Sequence, residues 1–124
     1  MKRLLLLTIA LFSLLIVGSA FASDKVIEKI SAGTALQKVK AGAMLVDVRR
    51  PDEFALGHLN SALNIPHEDA ERRLAEFGTD KDREIVVYCR SGKRAAIVQE
   101  ILAKAGYSHV SNAGGYEELQ PVFK

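Results

Sequence analysis

The feature that most constrains this chain is an apolar strand that ends in its only cysteine. Ile85-Val86-Val87-Tyr88 runs into Cys89, which opens the loop Arg90-Ser91-Gly92-Lys93-Arg94. From Ala95 the periodicity changes, and Ala95, Val98, Ile101, Leu102 and Ala105 fall on one face of a helix. Glu100 and Lys104 form an i,i+4 pair on the other face, and Gly106 is placed to end the helix. A continuously apolar strand has to be buried on both sides, as in a parallel sheet. The junction also dictates chemistry. A loop from a strand's carboxyl end to a helix's amino end turns several N–H groups in one direction and favours anions. A thiol in that ring, followed by Arg90, Lys93 and Arg94, is favoured as thiolate and expected to be reactive in an electropositive, partly exposed position. The bland alternative is a small buried hydrophobe. It fits less well, because Cys89 ends the apolar run and starts the cationic loop.

The rest of the chain supplies the partners for that strand. Val26 and Ile27 could begin a short edge strand. Ser31 is a good N-cap for a helix with Ala35, Leu36 and Val39 inward and Lys38 and Lys40 outward, closed by Gly42. Met44-Leu45-Val46-Asp47-Val48 is a second buried strand. Pro51 then opens a short helix with Asp52 and Glu53 in its first turn, ended at Gly57-His58. Ala62 to Pro66 is extended, since a residue before proline avoids the helical region. Glu68 to Phe77 reads as a helix with Ala70, Leu74 and Phe77 on one face, stopped by Gly78. Thr79 to Arg83 is a charged turn, Tyr107 to Ser111 a last strand, Gly114-Gly115 a tight turn and Tyr116 to Leu119 a final helical turn. Strands alternating with helices predict an α/β class: one small parallel-sheet domain with helices on both faces. Ligands of such sheets lie beyond the strands' carboxyl ends, where Asp47 and Cys89 share a rim.

Composition matters chiefly at the start. Met1-Lys2-Arg3 is charged, Leu4 to Gly18 carries no charge and is mostly apolar, and Ala20-Phe21-Ala22 has small residues where a signal peptidase reads. Residues 1–22 are expected to be a signal peptide, cleaved after Ala22, and residues 23–124 the folded domain. The apolar run is short for a membrane span, which needs ~20 apolar residues. Removing Lys2 and Arg3 leaves 15 Lys plus Arg against 15 Asp plus Glu. The basicity of the whole chain therefore belongs to the export signal. No basic stripe with interleaved aromatics remains, which argues against nucleic acid as a partner. A periplasmic or secreted location follows, without stable membrane association after cleavage. One cysteine cannot form an internal disulfide, and no Cys-x-x-Cys exists for dithiol chemistry. His58, His67 and His109 stand apart without metal-site spacing and are read as structural or solvated.

Cys89-Arg90-Ser91-Gly92-Lys93-Arg94 resembles the six-residue active-site loop of rhodanese sulfurtransferases. Two further segments are similar to the same family. One is Leu45-Val46-Asp47-Val48-Arg49 with Pro51-Asp52-Glu53-Phe54, Gly57-His58-Leu59 and Ala62-Leu63-Asn64-Ile65-Pro66; the other is Gly114-Gly115-Tyr116. Together they span residues 28–120, in the expected order. The resemblance implies transfer of a sulfane sulfur, with Cys89 as nucleophile and carrier of a persulfide. The donor is thiosulfate or a similar anion, and the acceptor is cyanide or a thiol. It implies no cofactor beyond that covalent persulfide. The N–H groups of Arg90, Ser91, Gly92, Lys93 and Arg94 would cradle the sulfur, and Lys93 and Arg94 would steer a dianionic donor. Asp47, Arg49, Glu53 and His58 are expected to be structural. An Arg49–Glu53 ion pair should brace the helix start, and Asp47 should accept backbone N–H bonds or pair with a cation.

Relatives specific for mercaptopyruvate have a less basic loop, which favours an inorganic sulfane donor. Two alternatives remain open. Rhodanese-fold phosphatases use a Cys-x5-Arg loop; here Arg94 comes one residue too soon, and Ala95 stands where that arginine would be. The other is a non-catalytic sulfur-carrier or regulatory binding module; an inactive relative would be expected to lack the thiol, and Cys89 is present. The partners expected are small molecules, and the protein is expected to be a monomer.

Overall fold

The computed structural model describes residues 27–124. The expected signal peptide, its cleavage point and Val26 lie outside them. Ile27 is not in a strand. The segment instead leans on the sheet through one bond, from the Ile30 N–H to the Asn112 carbonyl at 2.9 Å.

Four strands form one sheet: β1 (Met44–Asp47), β2 (Leu63–Asn64), β3 (Ile85–Cys89) and β4 (Val110–Gly115), in the order β2-β1-β3-β4. Every pairing is parallel, as the nearly continuous apolar character of the two central strands suggested. The helices are α1 (Ala32–Lys40), α2 (Pro51–Leu56), α3 (Lys93–Lys104) and α4 (Tyr116–Leu119). Side chains alternate across the sheet. Val46, Ile85, Val87 and Cys89 pack with Ala95, Val98 and Leu102 of α3, and with Phe77 and Tyr107. Leu45, Val86 and Tyr88 pack on the opposite face with Ala35 of α1, Leu119 of α4 and Phe123. The sheet is therefore covered on both sides, as expected for this α/β class.

Local sequence explains most boundaries. Ser31 caps α1 by accepting the Thr34 N–H at 3.1 Å. Pro51 sits in the first turn of α2, where its missing N–H is no loss. Lys81 Nζ donates to the Ala105 carbonyl at 2.9 Å, a cation at the end of α3 where the helix dipole favours it.

Further expectations fail, beginning with the last strand, which runs over Val110–Gly115 rather than Tyr107 to Ser111. Residues 68–77 do not form one helix; two 3₁₀ pieces, His67–Asp69 and Leu74–Phe77, flank a turn. Ala70 and Phe77 are buried and Leu74 packs beside them, so the face was read correctly. Three apolar side chains over ten residues are too few to hold a full α-helix, and short marginal turns settle into the tighter form. Nor do Gly114 and Gly115 form a turn after the last strand. They are its end, because β4 must continue alongside β3 as far as Cys89. The pairing slips between Val87 and Cys89, where three residues of β4 span two of β3, and this bulge seats Gly115 opposite Cys89.

Candidate active site

Alternation along β3 sends Cys89 to the α3 side, where it lies 0% exposed. The thiol is thus shielded from bulk water rather than partly exposed. It continues the inward series Ile85 and Val87 and packs under α3. Beyond it the chain reverses sharply. Gly92 has φ 97° and ψ −11°, a left-handed conformation that a side chain disfavours, and its N–H points back at Cys89 Sγ, 2.9 Å away. Gly92 also caps α3, so the N–H groups of Lys93, Arg94 and Ala95 begin the helix without intrahelical carbonyls to bond. The helix starts two residues earlier than Ala95, where the periodicity first placed it.

Two residues of β4 hold this loop. Asn112, 1% exposed, donates from Nδ2 to the Gly92 carbonyl and accepts the Gly114 N–H on Oδ1, both at 2.9 Å. Gly115 passes so close to the loop that a Cβ there would lie 2.4 Å from the Arg90 carbonyl oxygen. The glycine pair, expected as a turn, is instead where two backbones pass closely, and the sequence did not single out Asn112. Its only signal was a short amide side chain set among small residues in an otherwise apolar strand.

The charges pair differently from expectation. Asp47 is fully buried and accepts the Arg49 N–H at 2.9 Å, with Arg49 Nη2 at 2.7 Å and Nε at 3.0 and 3.1 Å. A buried carboxylate needs a bonded counter-charge, and Arg49 supplies it instead of bridging to Glu53. The Arg49 guanidinium also donates to the Gly57 carbonyl at 2.6 Å and lies 4.5 Å from the centre of the Tyr116 ring. Burial alone would lower its pKa, but the hydrogen bonds and charge of Asp47 outweigh this and raise it. Asp47 pairs in register with Tyr88, so it shares the sheet rim with Cys89 but faces the opposite side. Tyr88 accepts the Leu59 N–H at 3.1 Å, and burial raises its hydroxyl pKa.

Glu53 turns to the loop. Arg94 donates to its two carboxylate oxygens at 2.7 and 3.2 Å, and the Arg50 N–H donates to Oε1 at 3.1 Å. Arg94 is the main reason the Glu53 carboxyl is held down at about 2. Arg94 in turn is held charged first by Glu53, with a smaller contribution from Cys89. Its guanidinium therefore stands between a carboxylate and the thiol, and is not a free cation. Of the cations in this loop, Arg90 and Lys93 have no side-chain ion pair or hydrogen bond among the described residues. Both are exposed, as is Ser91. Lys93 lines a groove of about 650 Å³ with Ile27, Glu28 and Ile97, which Cys89 does not reach. Arg90 lines a smaller cleft of about 200 Å³ with Arg49, Glu53, Leu56, Gly57, Tyr116 and Glu117.

His58 stacks on Phe54 with ring centroids 3.6 Å apart, and its Nδ1 lies 2.9 Å from the Phe54 carbonyl, a structural role. Ala95 is fully buried in the core under α3, so the position of a longer loop's arginine is filled by a packing residue. What the site can do chemically follows from its parts: a shielded sulfur, converging N–H groups and one held guanidinium suit an anion bonded to that sulfur.

The rhodanese-like domain family matches residues 31–121. Thiosulfate sulfurtransferase PspE of Escherichia coli is 38% identical over 74 residues, covering 60% of this chain and 71% of that protein. The thiosulfate:glutathione sulfurtransferase of Saccharomyces cerevisiae is 34% identical over 79 residues, 55% of this chain; the chain spans only 57% of that relative's length. Among solved structures, a rhodanese with anions from E. coli is 36% identical with a TM-score of 0.59, covering 62% of this chain and 91% of that one. The human single-domain sulfurtransferase TSTD1 is 30% identical with a TM-score of 0.68, covering 75% and 95%.

Proposed function

The chain belongs to the rhodanese-like domain family, and from that membership we propose a rhodanese-type thiosulfate sulfurtransferase that works through a persulfide on Cys89. The observation that carries this reading is the Gly92 N–H aimed at Cys89 Sγ from 2.9 Å, at the head of a helix whose next three N–H groups lack intrahelical partners. The Cys89 thiolate attacks the outer sulfur of thiosulfate. The sulfur–sulfur bond of the donor breaks, sulfite leaves with the electron pair, and Cys89 keeps a terminal persulfide anion. A cyanide or thiolate acceptor then attacks that outer sulfur and takes it, and the electron pair of the Cys89–sulfur bond returns to Sγ as thiolate. No cofactor enters either step.

Each loop residue has a part. The N–H groups from Arg90 to Arg94 receive the added negative sulfur, with Gly92 supplying the turn that aims them. Arg94, fixed by Glu53, offsets charge beside Sγ. Arg90 and Lys93, unpaired and exposed, draw the dianion in. Asp47 and Arg49 brace the neighbouring loop. The reading extends to a monomer exported by residues 1–22 and working from Ser23 onward in the periplasm or outside the cell, supported by the sequence pattern alone; N-terminal sequencing of the isolated protein checks it.

Phosphatase chemistry fits less well, because the ring has six residues and Ala95 is packed away. Thiocyanate formation from thiosulfate and cyanide is expected, lost in Cys89→Ser, together with a mass gain of one sulfur on Cys89 after thiosulfate alone. Brisk phosphate release from an aryl phosphate with no thiocyanate formed would replace this assignment with the phosphatase one.

A further inference from the structure

Gly92 and Gly114 lie against each other where the loop meets β4, and neither can carry a side chain without strain. Both have positive φ, 97° and 84°. A Cβ built on Gly92 would stand 3.4 Å from the Gly114 Cα and 3.0 Å from Lys29 Cδ; one built on Gly114 would stand 3.3 Å from the same Cδ. A single methylene of Lys29 therefore lies across both glycines, in the space that their absent side chains leave. Lys29 comes from the segment ahead of α1, and the next residue, Ile30, is anchored by its N–H to the Asn112 carbonyl at 2.9 Å. The side chain of that same Asn112 holds the Gly92 carbonyl and the Gly114 N–H. One residue of β4 thus fastens the loop and fixes the segment that brings Lys29 over it. The stem is also close to the nucleophile. The Gly92 N–H is 2.9 Å from Cys89 Sγ, which keeps Lys29 Cδ within about 9 Å of the sulfur. Lys29 is exposed as a whole and has no side-chain ion pair or hydrogen bond among the described residues. Its head stays in water while its stem lies on the turn, as long cationic side chains do.

We propose that Lys29 is a positioning residue for sulfur transfer: its stem stands in for the side chains that Gly92 and Gly114 cannot carry, and keeps the Gly92 N–H aimed at the sulfur. This rests on the persulfide reading above and adds a residue from outside the loop to it. Asn112 fixes the Gly92 carbonyl but makes no bond to its N–H. The direction of that N–H depends on φ at Gly92, the torsion that glycine leaves freest. A methylene packed where a Cβ would sit limits this torsion as a side chain of the loop's own would. Without it the turn rocks, and a donor that swings off line loses most of its hydrogen bond and of its hold on developing charge. The ammonium makes no bond in this arrangement, so an uncharged side chain of similar reach does the same work.

The test compares the parent protein with Lys29→Ala, which removes stem and charge, and Lys29→Met, which keeps an unbranched stem without the charge. Sulfite release from thiosulfate is followed by stopped flow over a series of donor concentrations, and each protein is unfolded in urea. Lys29→Ala is expected to slow release at saturating thiosulfate about three- to ten-fold, part of the ~10²-fold that a misplacement of ~1 Å costs, with its urea midpoint unchanged. Lys29→Met is expected to return to within about two-fold of the parent, the rescue that a packing stem predicts and a lost charge does not. An effect of Lys29→Ala confined to low donor concentration, with the saturating rate kept, would make Lys29 an attractor of the dianion and overturn the positioning role. A Lys29→Met variant no faster than Lys29→Ala overturns it as well, as does a Lys29→Ala variant at the parent rate. A slowed Lys29→Ala variant whose urea midpoint also falls would place Lys29 in the bracing of the whole fold, and overturns it too. In all four cases stoichiometric sulfite release from the parent leaves the persulfide reading standing. Absence of that release overturns the persulfide reading, and the role of Lys29 with it.

Discussion

Replacing Gly115 with alanine adds one methyl group at the most crowded backbone contact around the thiol. Gly115 has φ −110° and ψ 145°, an extended conformation open to any residue, so backbone strain plays no part. The whole effect is steric. The new Cβ would stand 2.4 Å from the Arg90 carbonyl oxygen and 3.2 Å from its carbon. An ordinary carbon–oxygen contact needs ~3.3 Å, so the two backbones must separate by about 0.9 Å. Neither side gives easily: Gly115 pairs with Cys89 in the sheet, and the loop is fastened through Asn112. Overpacking of this kind costs about 1–3 kcal/mol of stability. The larger consequence is for rate, since a shift of ~1 Å in reacting groups can cost about 10²-fold. Urea unfolding reads the first quantity, and stopped-flow release of sulfite from thiosulfate reads the second. A variant within about 0.5 kcal/mol and a few-fold of the parent in both would show that the loop is not held against β4 as described.

Two further perturbations probe the supports of the site. Glu53 has its carboxyl pKa lowered from 4.5 to about 2, chiefly by Arg94, so its contribution is fully present above pH 4.5 and lost as pH falls toward 2. Over that window urea midpoints should drop by the equivalent of about 1–3 kcal/mol more in the parent than in Glu53→Gln; parallel profiles would remove the pair from the stability balance. Asn112→Ala strips partners from the buried Gly92 carbonyl and Gly114 N–H, which should cost about 2–4 kcal/mol and slow persulfide formation in the same variant. Loss of stability without loss of rate would mean that Asn112 braces the strand and not the loop.

Much of this was legible from residue order. The nearly continuous apolar runs at 44–48 and 85–88 announced strands buried on both faces, and the change to helical period after Cys89 located the loop. Less legible was anything set by partners distant in sequence. The Arg49–Glu53 spacing of four invited an ion pair, yet Arg49 turned to Asp47, where burial made a counter-charge necessary, and Glu53 took Arg94 from 41 residues away. The depth of Cys89 depended on which face of β3 it joined, a matter of alternation that could be counted but not weighed against the pull of the cationic loop. The glycine pair looked like a turn because glycine marks turns; its use as room for two backbones to pass depended on the register of β4, which no local pattern states. Residues 68–77 showed the right buried face in the wrong helix, since periodicity reports a face and not the number of hydrogen bonds that hold it.

The fastening of the loop by β4 sets an order of events for the newly made chain. Strand β3, the loop and the start of α3 can begin to organise from neighbouring residues. The Gly92 carbonyl, however, waits for Asn112, 20 residues further on, and Cys89 waits for Gly115. Non-local parallel pairings form late, after the entropy of closing the intervening segment has been spent. Until β4 docks, the sole thiol of this chain sits at the end of an open strand, accessible to oxidants that the finished fold keeps away from it. Sealing the sulfur and completing the site are thus one event, the docking of β4 on β3.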